Sequence, residues 1–589
     1  GELYMPYPLV NLYVDNGDIR NNFNLLGTAK ISIPKIEGLS FRIDASNDYS
    51  NSNNNTFYPV TTPEGASSIG RAVKEPSEVR NLLLNNILSY MNSFGDHSIN
   101  ATLLYSREKR FGQGSTLTST QFDNPILGYN SMELGTIQTV NSSAWRETSL
   151  ARMARLNYTY KDRYLITGTV RQDGFSGFGA EAKKATFPSV STGWILSEED
   201  FFTLDNIYLK MRLSYGKNGN QGIGRYSSYS RMATNPYAYN GVTSIGVYPN
   251  SLGNSSLSWE STNSLNFGID YGFLSDRITG SLEIYKANTT DVLVERTIPI
   301  STGFRSVWTN LGGIENKGIE LSVKTVNMQS SDFRWTSNFN FSLNRDKIVK
   351  LYGGGENEDI GNSWFVGESI SAIYDYEMTG GVWTEDELFS DQILNNWYPG
   401  QFKYNDLNND GVIEPTNDRK VIGYRNPAYR FSINNVVTYK NFSLFFFINS
   451  AQGGKKYFKS DNSSVVNVDW NADTFYRINA SAVRPYWTPE NGVTNATGAY
   501  NTPITHGGIY QSRSFVRLQD ISLSYQLNKN SLEFLKLQSA KIYVASKNPY
   551  TFTKWSGWDP EWNTLQDNQG AAMNNPVMRN ITFGVNLTL

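Results

Sequence analysis

The chain has 589 residues, longer than one ordinary globular core, which tends to divide beyond roughly 250–300 residues. Its 52 basic and 54 acidic residues nearly balance, which excludes the basic excess of a nucleic-acid binder and the charge runs of a disordered tail. Cysteine is absent and histidine occurs only at His97 and His506, so a disulfide framework, thiolate chemistry and a histidine-rich metal centre are excluded.

Mean hydropathy is polar, and there is no apolar run of about 18 residues, so membrane-crossing helices are not expected. A β-barrel stays open, because only alternate residues of its strands meet lipid. Aromatics form 14% of the chain, which suits barrel girdles and sugar-binding surfaces alike. The chain begins at Gly1 without a signal peptide and reads as a mature or cleaved polypeptide.

In chain order, residues 78–93 fit either an amphipathic helix, through Val79, Leu82, Leu83, Asn86, Ile87 and Tyr90, or a strand. The turn residues 94–97 that follow, and the alternation beyond them, favour the strand. Ile207, Leu209, Met211, Leu213 and Tyr215 form one face, with Tyr208, Lys210, Arg212 and Ser214 on the other. Leu265, Phe267, Ile269 and Tyr271 alternate with Asn266, Gly268 and Asp270, and Ile319, Leu321 and Val323 with Glu320, Ser322 and Lys324. Phe333, Trp335, Phe339, Phe341 and Leu343 oppose Arg334, Thr336, Asn338, Asn340 and Ser342. The last segment alternates Ile581, Phe583, Val585, Leu587 and Leu589 with Thr582, Gly584, Asn586 and Thr588.

About 17 such segments occur, many reaching the roughly 9–11 residues that a membrane-crossing strand needs. Short connections are expected near 34–38, 94–96, 161–163, 197–205, 273–276, 327–332, 440–441 and 528–536. Long ones are expected near 50–78, 110–146, 173–185, 218–260, 290–313, 346–426, 452–513 and 549–575. That alternation predicts an all-β transmembrane antiparallel barrel with short periplasmic turns and long extracellular loops. An odd count places the two ends on opposite sides, so residues 1–589 are expected to form the C-terminal portion of a larger barrel that does not close alone.

Ordered segments resemble the SusC/RagA family of TonB-dependent outer-membrane transporters. They are residues 154–196, 259–293, 310–321, 402–414, 514–527 and 557–561. Asp173-Gly174-Phe175-Ser176 stands where the family usually has DGSS. The resemblance implies a 22-stranded barrel with a plug domain and about five strands upstream of Gly1. It also implies a SusD-like surface lipoprotein as a lid, coupling to TonB, and pairing of transporter–lipoprotein units. The implied location is the outer membrane, with its lipid as a partner, and the implied cargo is an oligosaccharide or peptide.

Asp406, Asn408 and Asp410 with Gly411 stand at calcium-loop positions one, three and five and at the turn. Val412 offers a carbonyl, Glu414 stands at position nine and Asp418 lies one past position twelve, where Asn417 replaces the usual Glu. A structural calcium and an Asx-rich turn both fit this pattern; no cofactor is required by it. The long loops carry Trp308, Trp364, Trp383, Trp397, Trp470, Trp487, Trp555, Trp558 and Trp562, with Tyr398, Tyr486 and Tyr510. Trp364, Trp383, Trp397, Tyr398, Trp470, Tyr486 and Trp487 are the candidate substrate or lid contacts, although such rings also pin loops together. Arg152, Arg155, Arg171, Lys210, Arg212, Glu320 and Lys324 are expected on polar faces lining the lumen. No catalytic motif is present, so an enzyme is not expected. The function expected is active import; a surface adhesin on a barrel anchor and a passive porin are the alternatives.

Overall fold

A computed structural model describes residues 12–352, 355–383, 387, 402–457, 510–555, 559–561 and 577–588. The chain divides into two units. The first holds an antiparallel meander of Ile19–Ser32, Leu39–Tyr58, Arg71–Phe94, His97–Phe122, Gly135–Tyr160, Tyr164–Phe175 and Lys184–Ile195. The second holds Gly313–Gln329, Phe333–Lys350, Tyr429–Tyr439, Phe442–Gln452, Phe515–Gln526, Ser539–Thr553 and Asn580–Thr588. Tyr208–Asn220, Glu260–Phe273 and Ile278–Thr290 have residues in both. These are the strands that alternation predicts.

Residues 78–93 are strand. They lie within Arg71–Phe94, which has a paired neighbour along each edge, and Phe94 pairs with His97 across Gly95, whose φ of +57° suits the tight turn. A helix there would leave both neighbours without backbone partners. Several strands run far beyond the predicted lengths. His97–Phe122 and Gly135–Tyr160 each have 26 residues, so the connections at 59–70, 123–134 and 176–183 are shorter than expected. The extensions, such as Ser115 to Thr120 against Ile137 to Ser142, are mostly polar on both faces.

Each ladder sorts side chains by parity. In the second unit Ile319–Leu343, Leu321–Phe341–Phe431 and Val323–Phe339–Ile433 form one face. Glu320–Ser342 and Ser322–Asn340–Ser432 form the other. The apolar face is uncovered: Leu523 is 45%, Ile542 50% and Phe583 80% exposed. The buried aromatics gather instead at the strand ends. Phe175, Phe178, Phe187, Leu257 and Trp259 form one cluster, and Phe57, Ala72 and Phe122 another.

One expected lumen residue changes sides. Arg155 donates to Thr169 Oγ1 at 3.2 Å on the polar face, but Arg152, three residues earlier, pairs with Tyr105 and Gln172. Odd spacing puts the two on opposite faces, and Arg152 shares its face with Leu156 and Val170. Arg171 stays on the polar face, chelating Asp173. So does Arg212, whose guanidinium bridges Asp270 and Glu283 at 2.8 and 2.9 Å.

Gly318 is required by a close approach. A Cβ there would fall 2.3 Å from Tyr285 Cζ, and Tyr285 Oη donates to Asn344 Oδ1 at 3.0 Å directly across the ladder. Gly318→Leu is therefore expected to cost about 1–3 kcal/mol through overpacking. The readout is a lower temperature for loss of the heat-resistant species on a semi-native gel, with Tyr285→Ala in the same chain recovering most of the loss.

Candidate loop-borne site

The long connection at 351–428 in the second unit is built from short ladders. Ala372–Tyr376 pairs with Arg419–Tyr424, and Met378 pairs with Tyr404. Tyr376 and Tyr404 pack at a tilt of 44° with centroids 5.3 Å apart, and both are buried. Burial pushes the Tyr376 hydroxyl up to about 12. Tyr510 Oη donates to Asp375 Oδ2 at 2.8 Å, tying a second long connection to this one. Trp383 is buried, with Lys403 Nζ 5.4 Å from its ring centre. Trp364 is half-buried opposite Asp359. Trp397, Tyr398, Trp470, Tyr486, Trp487, Trp558 and Trp562 lie outside the described residues.

The segments that carry the family resemblance form knots between loops. Phe175 and Phe178 of the 154–196 segment, Phe187 of the same segment and Trp259 of the next meet in one cluster, and Trp308 packs against it. Asn310 holds the neighbouring chain by donating to the Ser258 and Asp291 carbonyls and accepting from Ser258 N. In the second unit Arg517 is 3% exposed and bonds Asp559 at 2.6 Å and Glu561 at 2.7 Å, which joins the 514–527 and 557–561 segments. Trp308 therefore pins loops rather than facing a ligand.

The six candidate calcium ligands lie in one loop that satisfies them internally. Asp406 accepts from Asn409 N and Gly411 N, Asp410 from Val412 N, and Asn408 Oδ1 from Asp410 N. Glu414 Oε1 accepts from Asn417 Nδ2 at 2.6 Å. Asp418 is fully buried and accepts from Leu407 N at 2.7 Å and Glu414 N at 2.8 Å, fastening both ends. These are the bonds of an Asx-rich turn. Among the described residues no group of three or more His, Asp or Glu side chains gathers to hold a metal ion.

One further pocket, of about 320 Å³, lines the polar face of the second unit with Glu283, Glu320, Asn340, Arg430 and Asn449. Sequence reasoning missed another, of about 290 Å³, in the first unit. Arg146, Lys183, Arg225, Tyr226 and Tyr229 line it. Arg225 lies 3.4 Å over the Trp145 ring and bonds Glu147 at 2.7 Å. Tyr226 Oη donates to the Arg146 carbonyl at 3.0 Å. The pocket presents cations and flat rings together, a combination that suits an acidic sugar or peptide group. No spacing rule marks it, since its residues come from the strand Gly135–Tyr160 and two separate connections.

A family model described as TonB dependent receptor-like, beta-barrel, matches residues 7–544. TonB-dependent receptor P3 of Formosa agariphila is 31% identical over 582 residues, covering 94% of this chain and 56% of the relative. TonB-dependent receptor SusC of Bacteroides thetaiotaomicron is 28% identical over 528 residues, covering 86% and 50%. The solved structure of the RagAB peptide transporter superposes with a TM-score of 0.81 at 21% identity, covering 98% of this chain and 63% of that one. The chain thus spans little more than half the length of these curated relatives.

Two outcomes are expected at the loop. Asp418→Ala strips two backbone amides of a charged acceptor and is expected to cost the loop about 2–4 kcal/mol. Proteolytic nicking within 402–424 would report it; a loop held by its own bonds stays uncut with a calcium chelator, and nicking on chelation would mean that a structural cation braces it. Lys420 and Asn405 hold the Glu377 carboxyl below its ordinary 4.5. A depressed carboxyl contributes fully above that ordinary value and fades as pH falls through the lower, folded one. Nicking at 402–424 should therefore rise below about pH 4.5, and Lys420→Met should flatten that rise.

Proposed function

Because the chain belongs to the TonB-dependent receptor-like β-barrel family, we propose that it is the wall of an active outer-membrane importer for oligosaccharides or peptides. It is an outer-membrane β-barrel protein. The observation that carries the proposal is the pairing of an uncovered apolar face with an opposite face of Glu320, Ser322, Asn340 and Ser432. Lipid covers the first, and the second borders a polar path. The connection at 351–428 is far longer than a structural turn needs and supports a ligand-handling role.

A SusD-like lipoprotein over the mouth and TonB as the energy source complete the proposed machine, with a plug and further strands contributed by upstream sequence. The names of the relatives support the TonB coupling and a peptide cargo: one is a TonB-dependent receptor SusC, and a solved neighbour is a peptide transporter. The cationic pocket at Arg146, Lys183 and Arg225 favours cargo that carries carboxylates.

Uptake by whole cells separates this reading from its rivals. Cells are given defined pools of labelled oligosaccharides and peptides. Deletion of the gene is expected to abolish uptake of one pool, and collapse of the proton-motive force is expected to do the same. Uptake that survives the collapse would mean a passive porin. Surface binding without uptake would mean an adhesin.

A further inference from the structure

Parity also sorts charge. On the apolar face of Phe333–Lys350, Trp335, Ser337, Phe339, Phe341 and Leu343 follow one another, and Arg345 and Lys347 come next. Arg345 lies ten residues from Trp335. Ten residues at about 3.3 Å each, tilted by about 40°, rise roughly 25 Å, which is the height of a barrel's lipid band. The turn at 330–332 belongs to the short series, so Trp335 stands at the periplasmic border and Arg345 at the outer one.

Five charged side chains meet at that outer border. Glu315 pairs with Lys347 and Lys317 with Arg345 across the ladder, on the face of Ile319 and Leu343. Glu315 bonds Lys286 at 2.8 Å and Lys317 at 2.9 Å, and Lys347 stands at 3.5 Å. The three lysines are 48–56% exposed, while Glu315 is 11% exposed beneath them. Three lysines thus surround one carboxylate, and Arg345, opposite Lys317, donates to the Asn344 and Ala428 carbonyls beside them. Lys317 and Arg345 are like charges directly opposite, and the single carboxylate of Glu315 offsets only part of the positive charge gathered here. Tyr285 lies on the reverse face against Gly318, which fixes Lys286, its neighbour, on this one.

We propose that Lys286, Lys317, Arg345 and Lys347 form a binding site for the phosphate of an anionic lipid headgroup in the outer leaflet. Glu315 gathers the ammonium groups, and the cluster keeps a net positive charge above an apolar wall that receives the acyl chains. A phosphate offers three strong acceptor oxygens to such a group of donors. The first unit repeats the pattern by its own count. His97, Ile99, Ala101, Leu103 and Tyr105 precede Arg107 and Lys109 on one face, with Arg152 opposite Tyr105.

The proposal rests on this face meeting lipid, and the experiment separates the two. The purified full-length protein in detergent is titrated with diphosphoryl lipid A, or with the same lipid stripped of its phosphates, and adducts are counted by native mass spectrometry. The protein is expected to bind the phosphorylated lipid at least about tenfold better. The triple variant Lys286→Gln, Lys317→Gln, Lys347→Gln is expected to lose that preference, and the triple Lys→Arg variant to keep it. Absence of a preference in the unsubstituted protein, its persistence in the Gln variant, or displacement of the lipid by equimolar inorganic phosphate would each overturn the site. Quenching of Trp335 by brominated phospholipid in nanodiscs, identified as the part lost in Trp335→Phe, tests the face itself. An unquenched Trp335 overturns the lipid-facing reading, whereas a quenched Trp335 without phosphate preference overturns only the headgroup site.

Discussion

Hydrocarbon offers a backbone no hydrogen-bond partner, so each N–H and C=O that crosses it must be satisfied within the protein. The rest of this structure follows from that constraint. Antiparallel ladders supply the partners, and their two-residue period leaves one face free to be apolar and the other free to be polar. Side chains on the walls then have little part in holding the strands together. Dense packing is displaced to the strand ends, where Phe178, Leu257 and Trp259 close one cluster and Arg517 is buried between Asp559 and Glu561.

This displacement explains why the recurring motifs resemble those of a transporter family without naming a cargo. Phe175, Phe178, Phe187 and Trp259 converge on one cluster, and Arg517 joins two further motifs through a buried ion pair. Breaking such a pair typically costs about 3–5 kcal/mol, because an uncompensated charge is left behind. The shared residues fix where long loops leave the wall. The pocket lined by Arg146, Arg225 and Tyr226 lies outside those motifs, and no repeated pattern distinguishes its residues.

The walls were legible because lipid enforces alternation, as at Ile319 to Val323 and Phe333 to Leu343. Legibility stopped where lipid stops. Beyond the band both faces meet water, so Asn47 to Thr56, and Ser115 to Thr120 with Ile137 to Ser142, carry no alternation while the backbone ladder continues. Arg152 departs from the polar face because parity, not charge, sets a side chain's face, and its parity is that of Leu156. The shift between Val326 and Met328 shows the same risk, since one extra residue reverses every face that follows. At 406–418 the spacing of Asp406, Asn408 and Asp410 fits an Asx-rich turn and a cation loop alike, and the bonds present are those of the turn. Asp418, which spacing placed one residue out of step, closes the loop by accepting from Leu407 N and Glu414 N.

Charges on the apolar face carry information that charges on the polar face lack. On a polar face Arg212 can sit at any height, since Asp270 and Glu283 neutralise it locally. On the apolar face a cation within the band would cost about 2–4 kcal/mol at its middle and almost nothing at its borders. The first cation after an uncharged run therefore marks a boundary. On Phe333–Lys350 the uncharged run lasts from Phe333 to Leu343 before Arg345, and on His97–Phe122 from His97 to Tyr105 before Arg107, with Arg152 opposite Tyr105 reaching the same border one pair earlier. Each run has about the length needed to cross the lipid band. The membrane, rather than any protein partner, is what sets it. A cluster of lysines gathered by Glu315 at that border is then positioned by the same constraint that built the wall.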